Sequence, residues 1–164
     1  MQPRPNPTLP GQRSVWTLPR PAVAERTSSR LRVVFAGRTI AETTQGVMTL
    51  ETSHPPSYYF PPEDIAPGVL TEVGRRTICE WKGVAAYFDV RANGRTAVGA
   101  AWGYPEPTPA FAMLEEHVAF YAGMMDACFV DDEEVTPQAG GFYGGWITSG
   151  YAGPFKGVPG SNSW

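Results

Sequence analysis

The chain has 164 residues, 42% of them hydrophobic and 18% charged, and a formal net charge of -3. That length suits one domain with a core of its own, and the acidic balance argues against a general nucleic-acid binder, which needs a basic face to displace counterions. No run approaches the roughly 18 apolar residues of a membrane span. Cys79 and Cys128 are the two cysteines, His54 and His117 the two histidines, and their spacing lacks the CxxC or HxxxH of a structural zinc site. With "MQPRPNPTLPGQ" lacking an apolar leader core, the expectation is a cytoplasmic protein with reduced thiols and no cofactor.

Residues 1–29 read as an extended, proline-rich arm, with prolines at 3, 5, 7, 10, 19 and 21. Proline fixes φ and removes a donor, so the arm is not helical. Its Trp16 suits an anchor onto the domain or onto a partner chain. Arginines 4, 13, 20, 26, 30 and 32, with Glu25 the one acid among them, are read as solvated charges.

Residues 30–164 read as a single domain. "LRVVF", the turn "AG" and "RTIAET" predict a hairpin, and "GVMTLET" a third strand. "HPPSYYFPPEDI" predicts a rigid crossing segment, and "GVLTEV" a short strand ended by Gly74. In "YFDVRANGRTAVGAAW", Asn93 and Gly94 supply the positive-φ pair of a type I′ turn between two alternating runs. "TPAFAMLEEHVAFYAGMMD" predicts a short helix over 109–116 and then a strand. "ACFV" is another strand, and "DDEE" a solvated acidic loop. Residues 140–164 hold eight glycines among six aromatic rings, a composition expected of an ordered tail whose glycines let the backbone pass close to the domain. The fold class is mainly β, antiparallel, with one or two short helices.

These stretches carry a resemblance. "ETSHPPSYYFPPEDI", "CEWKGVAAYF", "AAWGYPEP", "HVAFYAGMMDACFVD" and "GGFYGGWITSGYAGPFKGVPG" are similar, in order over roughly residues 31–160, to family 427 of the domains of unknown function. The arm with "SVWTLPRP" resembles the family's extended members, and "GSNSW" departs from a more regular glycine-rich ending. The resemblance implies a β-tent, two small antiparallel sheets that meet at one edge, as in the thalidomide-binding domain of cereblon, methionine sulfoxide reductase B and Yippee-type proteins. Many of those bind zinc through two CxxC pairs; here it implies a zinc-free tent closed by packing. A nucleotidyltransferase label attached to the family has no support in the residues, which lack a glycine-rich phosphate loop before a helix.

The reactive-looking quartet is Cys79, Glu80, Trp81 and Lys82. If residues 77–90 form one strand, Cys79, Trp81, Ala85 and Tyr87 share one face and Glu80, Lys82, Val84 and Phe88 the other. Glu80 and Lys82 then act as an acid–base pair or, the reading the sequence favours, as a strand-edge ion pair worth about 0.2–1 kcal/mol. Gly83 marks a bulge or close approach that re-aims Lys82 toward a cleft. Cys79 needs a base, His54 or His117, to be a nucleophile, and a small buried hydrophobe is the simpler role. Lys156 in "GPFKG" is an anion loop or a surface lysine. Glu63 and Asp64 suit a helix start.

Tyr59, Trp81, Trp102, Tyr104 and Trp146 come from separate segments beside glycine or proline, a pattern of cleft-lining rings or of an aromatic core. Three functional readings follow. The first is a small-molecule-binding domain, its ligand in an aromatic cleft contacted by Glu80 and Lys82 and suited to flat, neutral or cationic rings. The second is an enzyme on a cyclic metabolite using Glu80, Lys82 or Cys79. The third is a homo-oligomerising module that uses Trp16 and the tail.

Overall fold

The computed structural model describes residues 2–164. In chain order, β1 (Arg13–Ser14) leads through a 3-10 turn (Val15–Thr17) to β2 (Val23–Arg26). Then come β3 (Leu31–Phe35), β4 (Arg38–Thr43), β5 (Val47–Leu50) and β6 (Ser57–Tyr59). A 3-10 turn (Pro62–Asp64) precedes β7 (Leu70–Cys79), β8 (Gly83–Ala92) and β9 (Arg95–Gly103). A third such turn (Pro109–Leu114) leads to β10 (Val118–Phe120) and a fourth (Ala122–Met124) to β11 (Ala127–Val130). The chain ends with β12 (Glu133–Glu134), β13 (Thr136–Pro137), β14 (Trp146–Ile147) and β15 (Tyr151–Ala152).

The protein is mainly β, as the sequence predicts. Two four-stranded sheets, ordered β10-β9-β8-β7 and β12-β11-β3-β4, are joined by a three-stranded sheet β2-β5-β6 and the ribbons β13-β14 and β1-β15. The pairings are antiparallel except β1 with β15. Both expected tight turns form. Ala36 and Gly37 have φ 54° and 73°, and Asn93 and Gly94 have φ 48° and 78°, the positive pairs that match the twist of a two-residue hairpin.

Five expectations change. The segment after His54 is not only a crossing: Ser57–Tyr59 adds as β6 to β5. The strand expected to stop at Gly74 continues to Cys79, because a register shift between Val73 and Arg76 takes up Gly74 without ending the ladder. Residues 77–90 are consequently not one strand: β7 ends at Cys79 and residues 80–82 form the turn into β8. "DDEE" is a hairpin tip with partners, since Asp131 accepts from the Arg30 N–H at 2.8 Å and Glu133 grips Ser149 through two 2.7 Å bonds. The helix expected over 109–116 is the 3-10 turn Pro109–Leu114, whose Phe111 and Leu114 are buried at its three-residue spacing.

The proline-rich arm is built into the molecule. β2 pairs with β5 from Val23 opposite Leu50 to Arg26 opposite Val47, so arm and domain share a sheet. Trp16 donates its indole N–H to the Pro154 carbonyl at 3.0 Å and stands edge-on to Trp164, 5.7 Å between ring centres. Trp16 thus anchors to this chain's own tail.

Within the β7–β10 sheet, β10 and the adjoining parts of β8 and β9 are buried on both faces, while β7 is largely exposed. Val90, Ala101, Val118 and Phe120 join Leu31, Val33, Phe35 and Phe60 in the main core. Ala85, Tyr87, Trp102 and Ala119 face a second cluster with Val47, Tyr59 and Tyr104. β6 bridges the two, sending Tyr58 to the first and Tyr59 to the second, as strand alternation requires. Among the described residues no helix is long and apolar enough to cross a membrane.

Phe120 is fully buried and lies edge-on to Phe60 at 5.5 Å. Phe120→Ala is expected to lower unfolding free energy by about 3–5 kcal/mol, read as a reduced urea midpoint; an unchanged midpoint would mean that the main core does not rest on this contact.

Candidate functional site

The second apolar cluster is incompletely filled. A cavity of about 400 Å³ lies where β5, β6, the β7–β8 turn, β9 and the glycine-rich tail converge, within the size range of small-molecule sites. Its apolar wall follows from register: Tyr87 of β8 is opposite Trp102 of β9, which is opposite Ala119 of β10. Tyr121 tilts over Trp102 at 4.5 Å, and Tyr59 lies 6.1 Å from Trp102 and 6.4 Å from Tyr104. Gly144 seals one side, because a Cβ there would overlap the Trp102 indole.

Burial raises the phenols of Tyr59 and Tyr104, with hydrogen bonds from Trp102 and Thr49 opposing it at Tyr59. Burial likewise pushes Tyr121 up to about 12. The wall is therefore neutral at physiological pH.

The opposite end is polar. Lys82, at 8% exposure, points inward from the β7–β8 turn, with its Nζ 3.8 Å from the Cys79 thiol and 5.6 Å from the Phe111 ring centre. The turn is clamped from outside: Thr108 donates its N–H to the Lys82 carbonyl at 3.0 Å, and a Cβ at Gly83 (φ 112°) would stand 3.3 Å from the Glu106 carbonyl oxygen. Arg20 and Lys156 complete the cationic side.

Glu51 and His54 sit between these cations, His54 Nε2 being 3.5 Å from the Glu51 carboxylate. The buried Gln138 decides the imidazole's proton. Its Oε1 accepts the Gly145 N–H at 3.0 Å and its Nε2 donates to the Lys156 carbonyl at 2.8 Å, so the amide can face only one way. The second Nε2 hydrogen then points at His54 Nδ1, 3.0 Å away. Nδ1 must accept, which puts the ring hydrogen on Nε2, facing Glu51. Burial, with Lys156, Lys82 and Arg20 adding repulsion, lowers His54 to about 4. Burial raises the Glu51 carboxyl, and the same three cations oppose that rise.

Of the residues singled out in the sequence, Tyr59, Trp81, Lys82, Trp102 and Tyr104 line the cavity together with Cys79. Cys79 is half-buried at the wall, not a core thiol; Cys128 is the core thiol, raised by burial. Glu80 lies at the rim, exposed, and forms no ion pair with Lys82 among the described residues, because the turn sends the two side chains apart. Trp146 is not at the cavity: it is 1% exposed in the main core, and its indole N–H donates to the Phe120 carbonyl at 3.0 Å. Lys156, which the sequence favours as a glycine-flanked surface lysine over an anion loop, faces the cavity. Sequence reasoning missed Glu51, Gln138, Tyr87 and Tyr121. Only the clustering of Glu51 and His54 three residues apart could have signalled the first. Among the described residues no group of three or more His, Cys, Asp and Glu side chains is arranged to hold a metal ion.

Compared with known protein families, residues 23–131 match the model described as Domain of unknown function (DUF427). No curated protein matches the chain.

His54 is expected to stay neutral to about pH 4, with ¹⁵N shifts showing a bare Nδ1 and a protonated Nε2 at pH 7; Gln138→Leu should release that preference. A midpoint near the ordinary 6.5 would contradict the buried geometry. Between pH 6.5 and 4 the unfolded chain takes a proton that the folded one refuses, so His54 lowers stability as pH falls, by up to about 3 kcal/mol. The raised Glu51 works in the opposite sense, so the net slope is smaller. Gly144→Ala should displace the Trp102 indole, change its fluorescence and cost about 1–3 kcal/mol; an unaltered spectrum would place the tail away from that ring.

Proposed function

From the premise that the chain belongs to the DUF427 family of domains of unknown function, we propose that it is a small-molecule-binding domain whose ligand occupies the aromatic cavity. One observation carries this reading: a cavity of about 400 Å³ with neutral rings at one end and convergent charged groups at the other. Rings of this kind hold flat ligands by their faces, and a few polar groups orient them. Tyr59, Trp81, Trp102 and Tyr104 form the ring contacts of the proposal, and Lys82 its polar contact. Glu80 is a rim group, and Trp146 supports the wall from the core behind it.

A second reading, acid–base catalysis, is favoured by the Glu51–His54–Gln138 array. A desolvated carboxyl beside a tautomer-fixed imidazole is the arrangement that proton transfer uses. It moves the catalytic candidates from Glu80, Lys82 and Cys79 to Glu51 and His54. The homo-oligomer reading has less support, since Trp16 is occupied within its own chain.

Thermal stabilisation and tryptophan fluorescence against nucleotides, cyclic imides, uracils and hydantoins test the proposal. A ligand at 100 times its Kd should add about 2.7 kcal/mol. Trp102→Ala and the milder Trp81→Ala should both lose that gain while remaining folded by circular dichroism. A gain retained in both folded variants would put the ligand elsewhere, and turnover of a bound ligand that Glu51→Gln abolishes would establish the catalytic reading.

A further inference from the structure

Lys82 is the anomaly of the cavity. A buried ammonium is costly unless a counter-charge or a full set of acceptors replaces water. Its neighbours are a thiol at 3.8 Å and a ring face at 5.6 Å, and neither neutralises it. Lys156 donates to the main-chain oxygen of Trp164 at 3.2 Å and Arg20 to the Thr52 carbonyl at 3.5 Å. Among the described residues none of these three cations is within ion-pairing distance of an Asp or Glu carboxylate. The nearest internal candidate, Glu51, turns its carboxylate to His54 at 3.5 Å. His54 supplies no negative charge, and Gln138 holds its hydrogen facing Glu51.

We propose that the ligand carries a carboxylate or phosphate group, seated among Lys82, Lys156 and Arg20, on a flat ring that rests against Trp102 and Tyr104. This rests on the binding reading above and adds the ligand's charge and its orientation. It also replaces the neutral or cationic ring expected from the aromatic residues alone. A neutral ring filling the cavity would strip the remaining water from Lys82 and leave it unpaired. A cationic one would meet three like charges, which complementarity disfavours. An anionic substituent provides the counter-charge, and a charge-assisted hydrogen bond to a buried ammonium is stronger than a neutral one. Carboxylate and phosphate share this chemistry, and matched probes separate them.

The test uses the full chain and three probe pairs that differ in the anionic group: nicotinate with nicotinamide, orotate with its carboxamide, and uridine 5′-monophosphate with uridine. Calorimetry should show the acid of at least one pair binding tenfold or more tighter than its neutral mate, with the difference shrinking as salt rises. Lys82→Met should abolish the gap in affinity between the acid and its mate; Lys156→Met gives a second reading should the first variant unfold. Preference for the two carboxylates or for the nucleotide identifies the anion. Neutral members binding as tightly as the acids would overturn the anion seat while leaving the ring pocket standing. Six probes without binding at millimolar concentration, to a protein shown to be folded, would overturn both.

Discussion

The pairing of β8 with β9 through the Asn93 and Gly94 turn governs this molecule, because the inner part of the sheet it creates is buried on both faces. Successive residues of a strand point to opposite sides, so a slip of one position would exchange the two sets. In the observed register Phe88 pairs with Ala101 and Tyr87 with Trp102, sending one layer to the main core and the next to the cavity wall. The fold's stability and the site's shape are thus two consequences of one ladder.

Electrostatics at the polar end follow from confinement. The β7–β8 turn is held by Thr108 on its outer side, which drives Lys82 inward into a space that Glu51 and His54 already share. Gln138 cannot rotate its amide without breaking bonds to Gly145 and Lys156, so one buried amide sets a protonation state on a different segment. Low dielectric magnifies each of these effects, and the same burial that makes an unpaired charge costly makes a matching ligand group valuable. The cavity therefore combines neutral ring faces at one end with the cations Lys82, Lys156 and Arg20 at the other.

Glycine serves the site in two ways. At Gly83 a positive φ tightens the turn that delivers Lys82. At Gly144 the absence of a side chain lets the tail lie on Trp102 and close the cavity. The glycine-rich, aromatic tail is one wall of the pocket; its Trp146 is spent on the core, and Trp164 both packs on Trp16 of the arm and lines the cavity.

Local chemistry alone determined the mainly β class, both positive-φ hairpins, the strands at Leu31, Arg38 and Ala127, and the rings Tyr59, Trp102 and Tyr104, because turn residues and two-residue alternation act within a few positions. Gly74 misled, since a bulge depends on whether the partner strand continues. Glu80 and Lys82 misled because a turn replaced the assumed strand, so a pair expected on one face is split into an exposed Glu80 and a buried Lys82. Trp146 misled because rings in core and cleft look alike without a partner for the indole N–H. Tertiary structure decided that Glu51, His54, Gln138 and Lys156 meet Lys82, for these groups lie on segments up to 105 residues apart. Long-range contact is set by the packing of whole sheets, and no residue's own neighbourhood in the chain records it.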